Sequence, residues 1–179
     1  MNDFSLAMSF DDVLLVPRKS NVTSRSNIDI SSSIMNEEFS LPIISSPMDT
    51  ITGQNMAKTM CKQGGFGIIH RYNSIREQVS SVETALSSGA ERVAAAVGVT
   101  SDFVDRSAAL VSSGVFLLCI DVAHGHHTNV ERALKTLKDK FGNKVSIMAG
   151  NVATAEGFAD LEDWGADAIR VGVGGGSIC

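Results

Sequence analysis

From residue 42 onward the chain alternates short apolar runs with stretches of helical period, and this alternation leaves few folds open. The apolar runs cover residues 42–46, 65–70, 92–98, 115–122, 145–150 and 168–171. Each is bounded by glycine or polar residues, the pattern of a parallel strand buried on both faces. Between the runs lie amphipathic stretches. Ser74 and Glu77 have the spacing of a capping box, in which each side chain satisfies a backbone N–H of the other's residue. Ile75, Val79, Val82 and Leu86 then recur on one face, and Gly89 supplies the stop. Val104, Ala108 and Val111 mark a second stripe. Val130, Leu134 and Leu137 mark a third, whose basic end at Lys138 and Lys140 suits the helix dipole. Thr154 can cap a further helix carrying Phe158, Leu161 and Trp164 as far as Gly165. Residues 53–62 also read as a helix, with Met56 and Met60 inward.

Repeated β-α units with short connections fit two architectures, an open doubly wound sheet and a (β/α)8 barrel. Polar or reactive residues follow nearly every run at its C-terminal end: Ser46, His70, Asp121, Asn151 and Ser177. A barrel gathers functional groups on that face from many strands, whereas an open sheet concentrates them at one switch point. The expectation is therefore a (β/α)8 TIM barrel with about six of its eight strands in residues 1–179, read as part of one domain. The first forty residues read as a mostly polar lead-in, with Asp11 and Asp12 ahead of an apolar run ending at Val16.

Bulk properties narrow the function classes. The net charge of −5 and the absence of a basic stripe argue against nucleic acid. No apolar run reaches membrane-spanning length, and the first residues lack a basic, then apolar, leader, so the cytoplasm is expected. Cys61, Cys119 and Cys179 are widely spaced and odd in number, which fits reduced thiols. Cys61 and Cys119 sit among apolar residues and read as core.

Several segments carry a chemical and a structural reading side by side. The glycine-rich run Gly172-Val173-Gly174-Gly175-Gly176 follows the last apolar run and leads to Ser177 and Cys179. Such a loop can offer carbonyls to a monovalent cation, a serine to a phosphate and a thiol to an electrophilic carbon. It can equally be a mobile connector. Asp121 can accept from a ribose, or simply cap the loop that follows. His124, His126 and His127 invite a metal, yet lack the spacing and the carboxylate or cysteine partners, and hydrogen-bonding roles suit them better. Met48 can pack on a flat ring through sulfur. Asn151 can pair with a hydroxyl or a purine edge. Arg170, inside an apolar run, needs an anion, either a carboxylate or a phosphate.

Taken together, six collinear segments resemble the inosine monophosphate dehydrogenase and GMP reductase family: residues 9–17, 45–50, 64–70, 120–126, 149–154 and 170–179. The resemblance implies a (β/α)8 barrel that is usually a homotetramer. It implies that Cys179 is the nucleophile adding to C2 of a purine nucleotide, and that Ser46, Met48, Asn151, Arg170 and Ser177 surround that nucleotide. It implies that Asp121 faces the nicotinamide ribose of NAD, and that carbonyls of Gly174, Gly176 and Cys179 hold a potassium ion. The activity it implies is NAD-dependent oxidation of IMP to XMP in guanine nucleotide synthesis, with NADPH-dependent reductive deamination of GMP as the alternative. A nucleotide-binding module without catalysis is a third reading. Gly175 departs from the proline or serine of the usual loop. No regulatory CBS insertion separates Glu77 from Val93, and Asp121-Val122-Ala123 is reductase-like, whereas His124-Gly125-His126 leans to the dehydrogenase. Two strands, the rest of the phosphate site and the catalytic flap would lie in a C-terminal remainder, without which the chain is expected to be inactive.

Overall fold

The computed structural model describes residues 8, 10–35 and 37–174. Its body is a six-stranded sheet: β3 (Ile44–Ser45), β4 (Phe66–Ile69), β5 (Ala94–Val97), β6 (Leu117–Asp121), β7 (Ser146–Val152) and β8 (Ala168–Val171). Every neighbouring pair is parallel, and the strands lie side by side in sequence order. Five helices make the crossovers: α1 (Gln54–Lys62), α2 (Ile75–Ser87), α3 (Phe103–Ser112), α4 (Thr128–Phe141) and α5 (Ala155–Asp163). Ahead of the sheet, β1 (Ser32–Ile34) and β2 (Glu37–Phe39) form an antiparallel pair.

Two apolar layers decide between the candidate architectures. One lies between sheet and helices: Ile69, Ala95, Val97, Leu118, Ile120, Ile147 and Ala149 of the strands meet Val82, Leu110, Leu134 and Leu161 of the helices. The other contains no helix residue. There Phe66, Ile68, Ala94, Ala96, Leu117, Cys119 and Met148 pack with Phe39 of β2. Helices thus cover one face only, and strand order never reverses. A doubly wound sheet has helices on both faces and a switch point. The fold is six strands of a (β/α)8 barrel, with the helix-free face as its interior.

The small residues of β5 and the close approach of α1 fit this curvature. A side chain on Gly67 would lie 2.8 Å from the Cα of Ala57. That approach explains one departure from expectation: Ala57 takes the inward place on α1, and Met56 is 38% exposed. Cys61 packs on the helix-side layer yet is only half-buried. On α5 the inward positions are Gly157 and Leu161, leaving Phe158 exposed. The buried face of α3 is Phe103, Arg106, Ser107 and Leu110, while Val104, Ala108 and Val111 flank it half-buried. β1 and β2 were not expected, being short and carrying Glu37 and Glu38. The capping box at Ser74 and the stripe on α4 are as expected. Among the described residues no helix is long and apolar enough to cross a membrane.

Candidate functional site

Side chains alternate across a strand. Stepping by two from the interior residues Phe66 and Ile68, Ala94 and Ala96, and Leu117 and Cys119 brings His70, Gly98 and Asp121 to the C-terminal ends on the same face. Ala168 leads likewise to Arg170. Because all six strands are parallel, these residues share one rim.

Asp121 and Arg170 meet there: Arg170 Nη1 donates to Asp121 Oδ1, with both side chains largely buried. They are 49 positions apart in sequence and come together through the register of β6, β7 and β8, in which Asp121 pairs with Gly150 and Gly150 with Arg170. Gly150 has to be glycine, since a Cβ would fall 2.7 Å from that of Arg170 and 2.8 Å from its carbonyl oxygen. Below the pair lies Cys119, fully buried. Burial pushes its thiol up to about 12, and the Arg170 guanidinium offsets only part of this. Cys119 is therefore a protonated packing residue.

The loop after Asp121 is held to β7. Gly125 N–H donates to the Asn151 carbonyl at 2.6 Å, Asn151 N–H to the Val122 carbonyl at 2.8 Å, and Val122 N–H to the Gly150 carbonyl at 3.1 Å. Gly125 has no room for a side chain, because a Cβ would meet the Asn151 carbonyl oxygen at 2.8 Å and Gly150 backbone at 2.9 Å. Asn151 lies within β7 rather than after it, and its amide donates to the Gly172 carbonyl at 3.0 Å. Asn151 thereby ties the end of β7 to the start of the glycine-rich run. The three histidines have separate roles. His127 Nδ1 accepts from Asn129 N–H and caps α4. His126 Nε2 bonds to Asp160 at 2.6 Å beside Trp164. His124 meets His127 edge-on at 6.5 Å. Among the described residues no group of three ligating side chains is set to hold a metal.

The structure thus brings together Asp121, Arg170 and Asn151. Ser46 and Met48 follow the end of β3, three strands from Asp121 and five from Arg170 along the same rim. The Ser46 carbonyl accepts from the buried Thr52 hydroxyl at 2.5 Å and from Met48 N–H at 2.8 Å. Gly174 has a positive φ of 77°. Gly176, Ser177 and Cys179 lie outside the described residues.

Sequence reasoning missed a second group behind the rim. Gln78 of α2, fully buried, donates to the Ala96 carbonyl at 2.8 Å and accepts from Arg106 Nη1 at 2.7 Å. Arg106 also bonds Asp102 at 2.7 Å and the Asn73 carbonyl at 3.0 Å. This network anchors the loop after β4 to the end of β5. Arg71, in that loop, was also missed, although a cation directly after an apolar run was a visible signal.

Comparison with known proteins bears on the family. Residues 7–179 match the family model described as the IMP dehydrogenase / GMP reductase domain. The chain is 34% identical over 223 aligned residues to the inosine-5'-monophosphate dehydrogenase of Borreliella burgdorferi, covering 97% of this chain and 55% of that protein. It is 36% identical over 172 residues to the GMP reductase of Paracidovorax citrulli, covering 95% and 52%. It is 27% identical over 301 residues to the inosine-5'-monophosphate dehydrogenase of Nitrosopumilus maritimus, covering 99% and 63%. The chain spans roughly half to two thirds of the length of these relatives. With the family model matched along nearly its whole length, the chain belongs to the IMP dehydrogenase / GMP reductase family of oxidoreductases.

Proposed function

We propose that this chain carries the substrate-side half of an IMP dehydrogenase, oxidising IMP to XMP with NAD⁺ and water in guanine nucleotide synthesis. The observation that carries the reading is the Asp121–Arg170 pair on the barrel rim, with Asn151 linking it to the strand that runs into the glycine-rich loop. In this reading the Cys179 thiolate adds to C2 of the purine, hydride leaves C2 for the nicotinamide of NAD⁺, and water hydrolyses the resulting thioimidate to XMP and free thiol. Covalent capture divides one hard substitution into two easier steps.

The remaining residues bind and orient. Asn151 and Arg170 border the purine, Ser46 and Met48 close the far side of the nucleotide, and Ser177 contacts its phosphate. Asp121 offers its second carboxylate oxygen, unpartnered among the described residues, to the nicotinamide ribose, while the bond from Arg170 fixes the orientation of that carboxylate. A potassium ion on the carbonyls of Gly174, Gly176 and Cys179 would hold the thiol loop in shape. The active form is a cytoplasmic homotetramer in which a C-terminal remainder completes each barrel, in a single domain without a CBS insertion. α2 leads to β5 through a short turn at Gly89, consistent with that last point.

The alternative is GMP reductase, working from GMP and NADPH with release of ammonia. One observation favours it. The 172-residue alignment to the reductase fits within this chain's 179 residues, whereas the 223-residue alignment to the dehydrogenase exceeds them and so requires inserted residues in that relative. The test uses the complete protein with IMP, NAD⁺ and potassium, following NADH absorbance. The dehydrogenase reading expects a rise that Cys179→Ala abolishes. Absence of a rise, with NADPH consumed when GMP is supplied, would establish the reductase instead.

A further inference from the structure

Arg71 occupies a place on the rim that its neighbours do not explain. Its guanidinium lies across the end of β5, with Nη1 and Cζ 3.5 and 3.6 Å from the position a Cβ on Gly98 would take. Its Cζ lies 5.3 Å from the centre of the Tyr72 ring. Nη2 reaches the backbone carbonyl of Asp121 at 3.3 Å, a long bond to a neutral acceptor. Nε is buried and has no partner among the described residues. A guanidinium has five donors, and no carboxylate is paired with this one among the described residues. Arg71 as a whole is half-buried, and enclosing part of a guanidinium without an anion carries a desolvation cost.

The charges around it point the same way. The nearby carboxylates are already paired among the described residues: Asp121 with Arg170, and Asp102, past the end of β5, with Arg106. Arg71, Arg170 and Asp121 together leave one positive charge beside the half-buried His70. The environment therefore selects an anion, and the fork geometry of arginine suits a phosphate oxygen pair.

We propose that Arg71 binds the pyrophosphate of the nicotinamide dinucleotide. The inference rests on the reading of this rim as a nucleotide and dinucleotide site. Two anionic groups enter such a site. The nucleotide monophosphate belongs to the glycine-rich loop beyond β8, whereas Arg71 sits over β5 and bonds the backbone of Asp121 on β6. The phosphate nearest to a ribose held by the Asp121 carboxylate is that of the dinucleotide. Arg71 is then a binding residue specific to the cofactor.

The experiment measures dissociation constants of the complete protein for NAD⁺, for NADPH and for IMP separately, in the wild type, Arg71→Gln and Arg71→Lys, with melting temperature as the folding control. The expected result is a loss of about tenfold or more in dinucleotide affinity for Arg71→Gln, since a charge-assisted phosphate contact is removed. IMP affinity should stay within twofold, and Arg71→Lys should recover part of the loss. Dinucleotide affinity unchanged in a folded Arg71→Gln protein would overturn the proposal, as would an equal loss for IMP. A wild-type protein that binds no dinucleotide would overturn the underlying functional reading and this inference with it.

Discussion

The two ends of the barrel interior are built from opposite materials. At the N-terminal ends of the strands, Phe39 of β2, Phe66 of β4 and Phe116 form an aromatic floor, with ring centres 4.9 to 6.2 Å apart. Arg92 lies over Phe39 and pairs with Glu37 at the edge of this floor. A cleft of about 160 Å³ there, bordered by Ile34, Phe39, Pro42 and Phe66, is lined by no ionisable side chain. At the C-terminal ends the same interior carries Asp121 and Arg170, with Arg71 reaching across from the loop after β4. The floor is a packed apolar cluster. The rim keeps charges that fold stability alone would not select, since burying ions seldom stabilises a protein. That division locates the chemistry independently of any one residue.

The largest effect should come from breaking the floor. Phe66→Ala removes a fully buried ring and should cost about 3–5 kcal/mol, read by denaturant unfolding. Activity should fall only as the folded fraction falls. Gly125→Ala should cost about 1–3 kcal/mol, because the new methyl meets backbone that has to shift. Unlike the floor variant, it should weaken dinucleotide binding in the protein that remains folded. Arg170→Met should cost about 1–2 kcal/mol, a value below that of a fully buried pair because both side chains retain some solvent. Adding Asp121→Asn to it should recover most of that stability without recovering activity, and a double-mutant cycle measures both. The smallest effect lies away from both ends. Ser74→Ala should cost about 1 kcal/mol and leave substrate affinities unchanged. The Ser74 hydroxyl and N–H hold the Glu77 carboxyl below its usual range. The capping contribution should therefore be present above the ordinary glutamate range and fade as pH falls through the lowered value. In Ser74→Ala that acid dependence should shrink.

How much of this was legible depends on whether a feature is local. The stripe of Val130, Leu134 and Leu137 was readable because every buried position on α4 that it names is apolar. The α3 stripe was read only in part: Val104 and Val111 pack on the core, but two of the four fully buried residues, Arg106 and Ser107, are polar. Arg106 is held by partners on α2 and the loop before it, whereas the buried Ser107 hydroxyl has no partner among the described residues. Met56 was misplaced because the closeness of α1 to β4 is a tertiary fact. At the rim, Asp121 and Asn151 stood out as polar residues at the ends of apolar runs, and Arg170 as a cation inside one. Their joining did not, because it requires the register of three strands. Arg71 was missed for the same reason: its partners are a glycine on β5's exit and a carbonyl fifty positions away.

The contrast between the two interiors predicts opposite behaviour for two thiols. Cys119, sealed beneath the Asp121–Arg170 pair with its thiol pushed up to about 12, should stay silent. Cys179, placed by the functional reading on the rim, should react. The decisive measurement is alkylation of the complete protein at neutral pH, followed by peptide mass spectrometry with and without IMP. The account predicts rapid labelling of Cys179, suppressed by IMP, and none at Cys119. Equal labelling of both thiols, or labelling of Cys179 that IMP leaves unchanged, would contradict it.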